Sequence, residues 1–140
     1  MTFSVELEPP PPLNNCYVNV RGRGRTKSPR YRAWRQAAVL SIFSQVPAKL
    51  RIGGPVVVYI ALPIKMRGDV DGRIKGVLDA LVDSKRIDDD KHVIAVTAAK
   101  THDKPTALVR VARAVGLIPD TGPSLAEGLA DLRRRAGRSA

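Results

Sequence analysis

Residues 56–90 read VVVYIALPIKMRGDVDGRIKGVLDALVDSKRIDDD, and the change of period inside this stretch decides the fold. Val56–Leu62 is an unbroken apolar run closed by Pro63, the pattern of a strand buried on both faces. From Asp71 to about Asp83 the period becomes helical. Ile74, Val77, Leu78 and Leu81 share one face, and Asp71, Lys75, Asp79 and Asp83, spaced by four, form a ridge beside it. A polar connection over 85–90 leads to a second strand, Val93–Ala99.

Charge is uneven along the chain. Of 13 acidic residues, seven fall in this stretch: Asp69, Asp71, Asp79, Asp83, Asp88, Asp89 and Asp90. The whole chain carries a formal +11, and 9–68 holds eleven Lys and Arg with no acid. Like charges gathered together cost free energy unless a cation sits among them. The excess of positive charge, with a pI near 10.5, calls for a polyanion, most often nucleic acid.

Working outward, Phe3, Val5 and Leu7 alternate with polar residues as a half-buried strand, which Pro9–Pro12 stop. Leu13–Val20 reads as irregular or extended. In Arg21-Gly22-Arg23-Gly24-Arg25-Thr26-Lys27, an extended chain places Arg21, Arg23 and Arg25 on one side, as phosphate contacts. Ser28-Pro29 starts a helix, with Tyr31, Trp34, Ala38 and Ile42 on its apolar stripe, joined by Val39, Phe43 and Val46, and Pro47 ending it. Thr101–Thr106 reads as a hairpin loop and Leu108–Ala114 as the strand returning from it. The expected fold is α/β (α+β): one domain over 1–116, a mixed sheet of about four strands and two main helices. A basic C-terminal extension follows over 117–140, with a short helix.

The same residues exclude several chemistries. One cysteine, Cys16, allows neither an internal disulfide nor a cysteine-based zinc site. Asp69-Val70-Asp71-Gly72 opens like a calcium loop, but its glycine comes two residues early and the closing glutamate is replaced by Ala80. There is no Walker-type phosphate loop, and His92 and His102 stand alone. No apolar run reaches the ~18 residues of a membrane span, so the expected setting is cytoplasmic, without a membrane partner. What remains is Asp69 and Asp71, two apart and pointing the same way if extended, as oxygen ligands for a hard cation. An Asp from 88–90 completes the set, and Lys75, one helical turn on, offsets charge at a phosphate.

These motifs resemble the RusA family of Holliday junction resolvases. Pro11-Pro12-Leu13-Asn14-Asn15 is similar to its proline–asparagine segment. Arg23-Gly24-Arg25-Thr26, Ser28 and Tyr31–Trp34 resemble its basic loop and first helix. Asp69-Val70-Asp71 with Lys75 and Asp79 follows its D-x-D-N-x-x-K-x-x-x-D pattern, with Gly72 in place of the Asn, and Asp89-Asp90-Lys91-His92-Val93 its D-D-x-x-V. The resemblance implies a Mg²⁺-dependent endonuclease, with Mn²⁺ as a substitute, that nicks four-way DNA junctions symmetrically. In it Asp69, Asp71 and Asp90 bind metal, Lys75 is a base or charge stabiliser, and Asp79 and Asp89 support them. Arg21, Arg23, Arg25, Lys27, Arg30, Lys65 and Arg67 are the expected DNA contacts. Paired nicks in a two-fold substrate imply a homodimer. The residues also leave open a non-catalytic, structure-selective binding protein, and a metal nuclease of flaps or forks.

One geometric tension follows. Asp69 closes one strand and Asp90 opens the next, so a simple parallel crossover would put them at opposite ends of the sheet. Antiparallel strands, a loop that doubles back, or a site shared between subunits would each resolve it.

Overall fold

The computed structural model describes residues 1–12, 15–22 and 24–114, with positions 134 and 137 of the tail. The extension over 117–140, its expected short helix and the boundary at 116 lie outside the described residues except at those two positions. Six strands and two helices follow in order: β1 (Thr2–Leu7), β2 (Tyr17–Val20), β3 (Gly24–Lys27), α1 (Pro29–Gln45), β4 (Val56–Pro63), α2 (Ile74–Asp83), β5 (Val93–His102) and β6 (Ala107–Arg113).

The main sheet has the order β1-β6-β4-β5, and β2 and β3 form a separate two-stranded sheet. β6 is antiparallel to both β1 and β4, whereas β4 and β5 are parallel. The sheet is therefore mixed, in an α+β domain. β4 is central because every one of its 8 residues is buried, which only a strand flanked on both edges and faces achieves. Its placement corrects two expectations. β4 and β5 are not antiparallel. Nor is the loop after His102 a hairpin: β5 and β6 never pair, since β4 lies between them and takes hydrogen bonds from both.

The core fills the face of the sheet that α1 and α2 cover. Phe3, Val5 and Leu7 of β1 meet Ala38, Ile42 and Val46 from the α1 region and Val77, Ala80 and Leu81 of α2. α1 starts as its sequence dictates, with Ser28 Oγ accepting from the Tyr31 N–H at 3.1 Å and Pro29 at the first position. Phe43 departs from the expected stripe: it is half exposed, with the Arg86 guanidinium 5.0 Å over its ring. α2 packs tightly on the proline run, where a Cβ on Gly76 would come within 2.7 Å of Pro10 Cβ.

The arginine–glycine stretch is not one extended strand. Gly22 (φ +79°) and Gly24 (φ +71°) take backbone conformations that turn the chain, so β2 and β3 form a hairpin with Asn19 opposite Arg25. Arg21 lies in the turn and Arg25 on β3; Arg23 is outside the described residues.

Candidate active site

The chain leaving β4 is tied down before it reaches the acids. The Ile64 N–H donates to the His102 carbonyl at 2.7 Å, and Lys100 Nζ to that of Met66 at 2.9 Å. Gly68 then turns in the left-handed region (φ +93°) against Arg73, whose Nη2 would lie 3.1 Å from a Cβ there. Val70 is right-handed helical, and Asp71 opens a 3-10 turn, Asp71–Arg73, that runs directly into α2. The D-x-D residues are thus gathered by a turn, not by the extended chain their spacing suggested. Both acids still border one cavity, and both are exposed.

That cavity is about 1080 Å³ in volume. Asp69, Asp71 and Lys75 line it. Arg25 and Tyr17 of the hairpin border it too, with Arg30 from α1 and Arg67 from the loop. The Arg25 guanidinium lies 5.2 Å over the Tyr17 ring, which braces it at the rim. Neither the Asp69 nor the Asp71 carboxylate has a hydrogen bond or ion pair among the described residues; the Asp71 backbone carbonyl accepts from the Ile74 N–H. Arg73 closes the floor. It is 7% exposed, and its two terminal nitrogens donate to the Pro10 and Arg67 carbonyls at 2.5 Å each. Its Nε has no partner among the described residues, and burial, then the charge of Arg30, lowers its proton affinity. Nothing in the sequence distinguishes this arginine from an ordinary polar residue at a helix start.

The remaining predicted contacts spread more widely. Arg21 and Lys65 are exposed outside the cavity lining, and Lys27 borders a different groove along α1 with Arg32.

Asp89 and Asp90 do not line the cavity. The 3-10 turn Asp90–His92 packs against α2, which brings Asp90 near enough to Lys75 and Asp79 for both charges to act on it. Parallel β4 and β5 therefore do not strand Asp90 at the far end of the molecule. The two neighbouring carboxyls share a hydrogen bond. It raises Asp90 above the ordinary carboxyl value and lowers Asp89, which also accepts from the Lys91 N–H at 3.2 Å.

Asp79 occupies the ridge as expected. Its Oδ1 faces Lys75 Nζ at 3.5 Å, and its Oδ2 accepts from the Tyr31 hydroxyl. Asp83 and Asp88 are both paired. Asp83 meets Arg35 at 2.5 Å, and Asp88 meets Arg51 and accepts from the Gly54 N–H at 3.1 Å.

As donors, Asp69 and Asp71 fit Mg²⁺, which is commonly held by one or two carboxylates together with waters and substrate phosphates. Among the described residues no group of three or more His, Cys, Asp or Glu is close enough to hold a metal. Asp69 and Asp71 share the cavity lining, and Asp90 is not part of it.

Two carboxylates and a lysine in a cavity lined also by arginines are the side chains that cleavage of a phosphodiester backbone calls for. The class is a nuclease. The chain belongs to the endodeoxyribonuclease RusA family, whose model matches residues 6–112. No curated protein matches it at a significant level. No helix among the described residues is long and apolar enough to cross a membrane.

Proposed function

We propose that this protein is a Mg²⁺-dependent endodeoxyribonuclease that resolves four-way DNA junctions by symmetric paired nicks, acting as a homodimer. The single observation carrying the reading is the cavity lined by Asp69, Asp71 and Lys75 together with Arg25, Arg30 and Arg67. Asp69 and Asp71 hold the metal, with Mn²⁺ able to replace it. Asp90 joins them, from its own subunit by a shift of the 90–92 turn or from a second copy. Held there, a Mg²⁺ would supply Lewis-acid polarisation of the phosphodiester and lower the pKa of a water.

The protein's own groups do the rest. Arg25, Arg30 and Arg67 bind the backbone flanking the scissile phosphate, and Arg21, Arg23, Lys27 and Lys65 extend the contact to the junction arms. Lys75 places positive charge where negative charge develops on the phosphate. Asp89 shares a hydrogen bond with Asp90 and so influences when Asp90 is free to ligate.

The test is incubation with synthetic four-way, forked and linear duplexes, with and without Mg²⁺. Paired nicks across the junction, dependent on metal, are expected, from a particle with the mass of a dimer by light scattering. Preferential cutting of forks would replace the junction reading with that of a fork nuclease. No cleavage of any substrate with metal present would overturn the enzyme.

A further inference from the structure

Lys75 is not left to itself on the helix surface. An i,i+4 Lys–Asp pair on an exposed helix is worth about 0.2–0.5 kcal/mol and leaves the lysine free to swing. Here the acid of the pair is immobilised. Asp79 is 16% exposed while Lys75 is 49% exposed. One oxygen of Asp79 accepts from the hydroxyl of Tyr31, a residue 48 positions away, and lies 4.0 Å from Arg35 Nη1. The oxygen left over is the one that faces Lys75 at 3.5 Å.

Tyr31 in turn has nowhere to move. It is wholly buried in the first turn of α1, stacked on Trp34 at 6.2 Å and against Tyr17 at 6.0 Å, with its own N–H held by the Ser28 cap. Burial first, and the bond to Asp79 second, push its phenol well above the ordinary tyrosine value. It therefore stays a donor across the working pH range. A phenylalanine would fill the same space. Among the described residues the hydroxyl's one hydrogen bond is to the carboxylate that faces Lys75, and Lys75 borders the cavity lined by Asp69 and Asp71.

We propose that Tyr31 is a positioning residue for DNA cleavage, fixing the Asp79 carboxylate so that Lys75 is held at the edge of the cavity. The proposal rests on the assignment of Lys75 to the cleavage step. Its test is single-turnover nicking of a four-way junction with Mg²⁺ by Tyr31→Phe, Asp79→Asn, the double variant and Lys75→Ala. Junction affinity and thermal unfolding are measured in parallel.

Tyr31→Phe keeps the ring packing, so its rate should fall about tenfold, as expected for a slightly misplaced catalytic group, with junction affinity unchanged. In the Asp79→Asn background the tyrosine substitution should add nothing, because the path it acts through is already cut. Losses that multiply in the double variant would show Tyr31 acting through the general fold and overturn the proposal, as would a full-rate Tyr31→Phe beside an impaired Lys75→Ala. A full-rate Lys75→Ala would instead remove the underlying assignment of Lys75, and the proposal with it. Should Tyr31→Phe unfold early, assays below its transition keep the comparison valid.

Discussion

The acids of this chain fall into two groups that differ in partnership more than in position. Asp83 and Asp88 are bound to arginines and a backbone N–H, so their charge is compensated within the fold. Asp69 and Asp71 have no such partner among the described residues, although Arg25, Arg30 and Arg67 border the same cavity. A domain with this many spare cations could have paired them. Leaving two carboxylates unpaired in a basic cavity keeps their oxygens available, at an electrostatic cost that an incoming cation removes. Asp79 stands between the groups, bound on one side by Tyr31 and facing Lys75 on the other.

The sharpest way to break this comparison is to neutralise one member of each group. Asp71→Asn should slow nicking on the order of a thousandfold, the rate equivalent of about 4 kcal/mol of lost charge stabilisation. Its junction binding should persist, and its unfolding temperature should hold or rise slightly. Asp83→Asn should do the reverse, cutting at full rate while losing a few tenths to about 1 kcal/mol of stability. Normal nicking by Asp71→Asn, in a single-turnover assay, would erase the distinction.

Next in size is Arg73, which holds the acid-bearing loop to the proline run. Arg73→Met keeps much of the volume but removes two charge-assisted bonds to carbonyls. A loss of about 1–3 kcal/mol in urea unfolding is expected. Cleavage should weaken more than binding, since the loop carries Asp69 and Asp71. Unchanged stability would mean that removing the unpartnered buried Nε offsets the lost bonds.

The cations divide as the acids do. Arg35 and Arg51 are paired, whereas Arg30 borders the cavity with no ion pair among the described residues. Arg30→Ala should reduce the slope of log affinity against log salt by about one phosphate contact. Arg51→Ala should leave the slope alone. Equal slopes for both variants would show that the cavity arginines are not the DNA contacts.

How much of this was legible before the structure depends on whether the signal is local. β1, β4, α1 and α2 are written in single-segment periods and a Ser-Pro cap; β1, β4 and α1 lie within a residue or two of their expected bounds, whereas α2 starts at Ile74 and not Asp71 because a 3-10 turn takes the first three residues. The place of β6 between β1 and β4 is a pairing choice among distant segments, which no local period encodes. The hairpin was hidden because Arg and Gly alternate where apolar residues usually mark a strand. For the site, Asp69, Asp71 and Lys75 were readable as residue types at a spacing, but the turn at Gly68 that gathers them was not. Arg73 and Tyr31 were not readable at all. Their roles come from burial and from partners such as Pro10 and Asp79, far off in sequence.

The smallest expected effect concerns acid stability, where the paired group should again behave differently from the unpaired one. Asp88 is held below its ordinary value of 3.8, first by the Gly54 N–H and then by Arg51. A carboxyl whose folded value is lowered contributes stability that is fully present above its unfolded value. That contribution is lost as pH falls through the folded one. The unfolding temperature of the protein should therefore drop between about pH 4 and lower pH, and Asp88→Asn should flatten part of that drop while changing little at pH 7. The side chain is exposed, so the effect is modest, and salt should shrink it. If Asp88→Asn leaves the acid limb unchanged, Asp88 is not compensated in the folded protein, and the contrast between the two groups of acids fails at its weakest point.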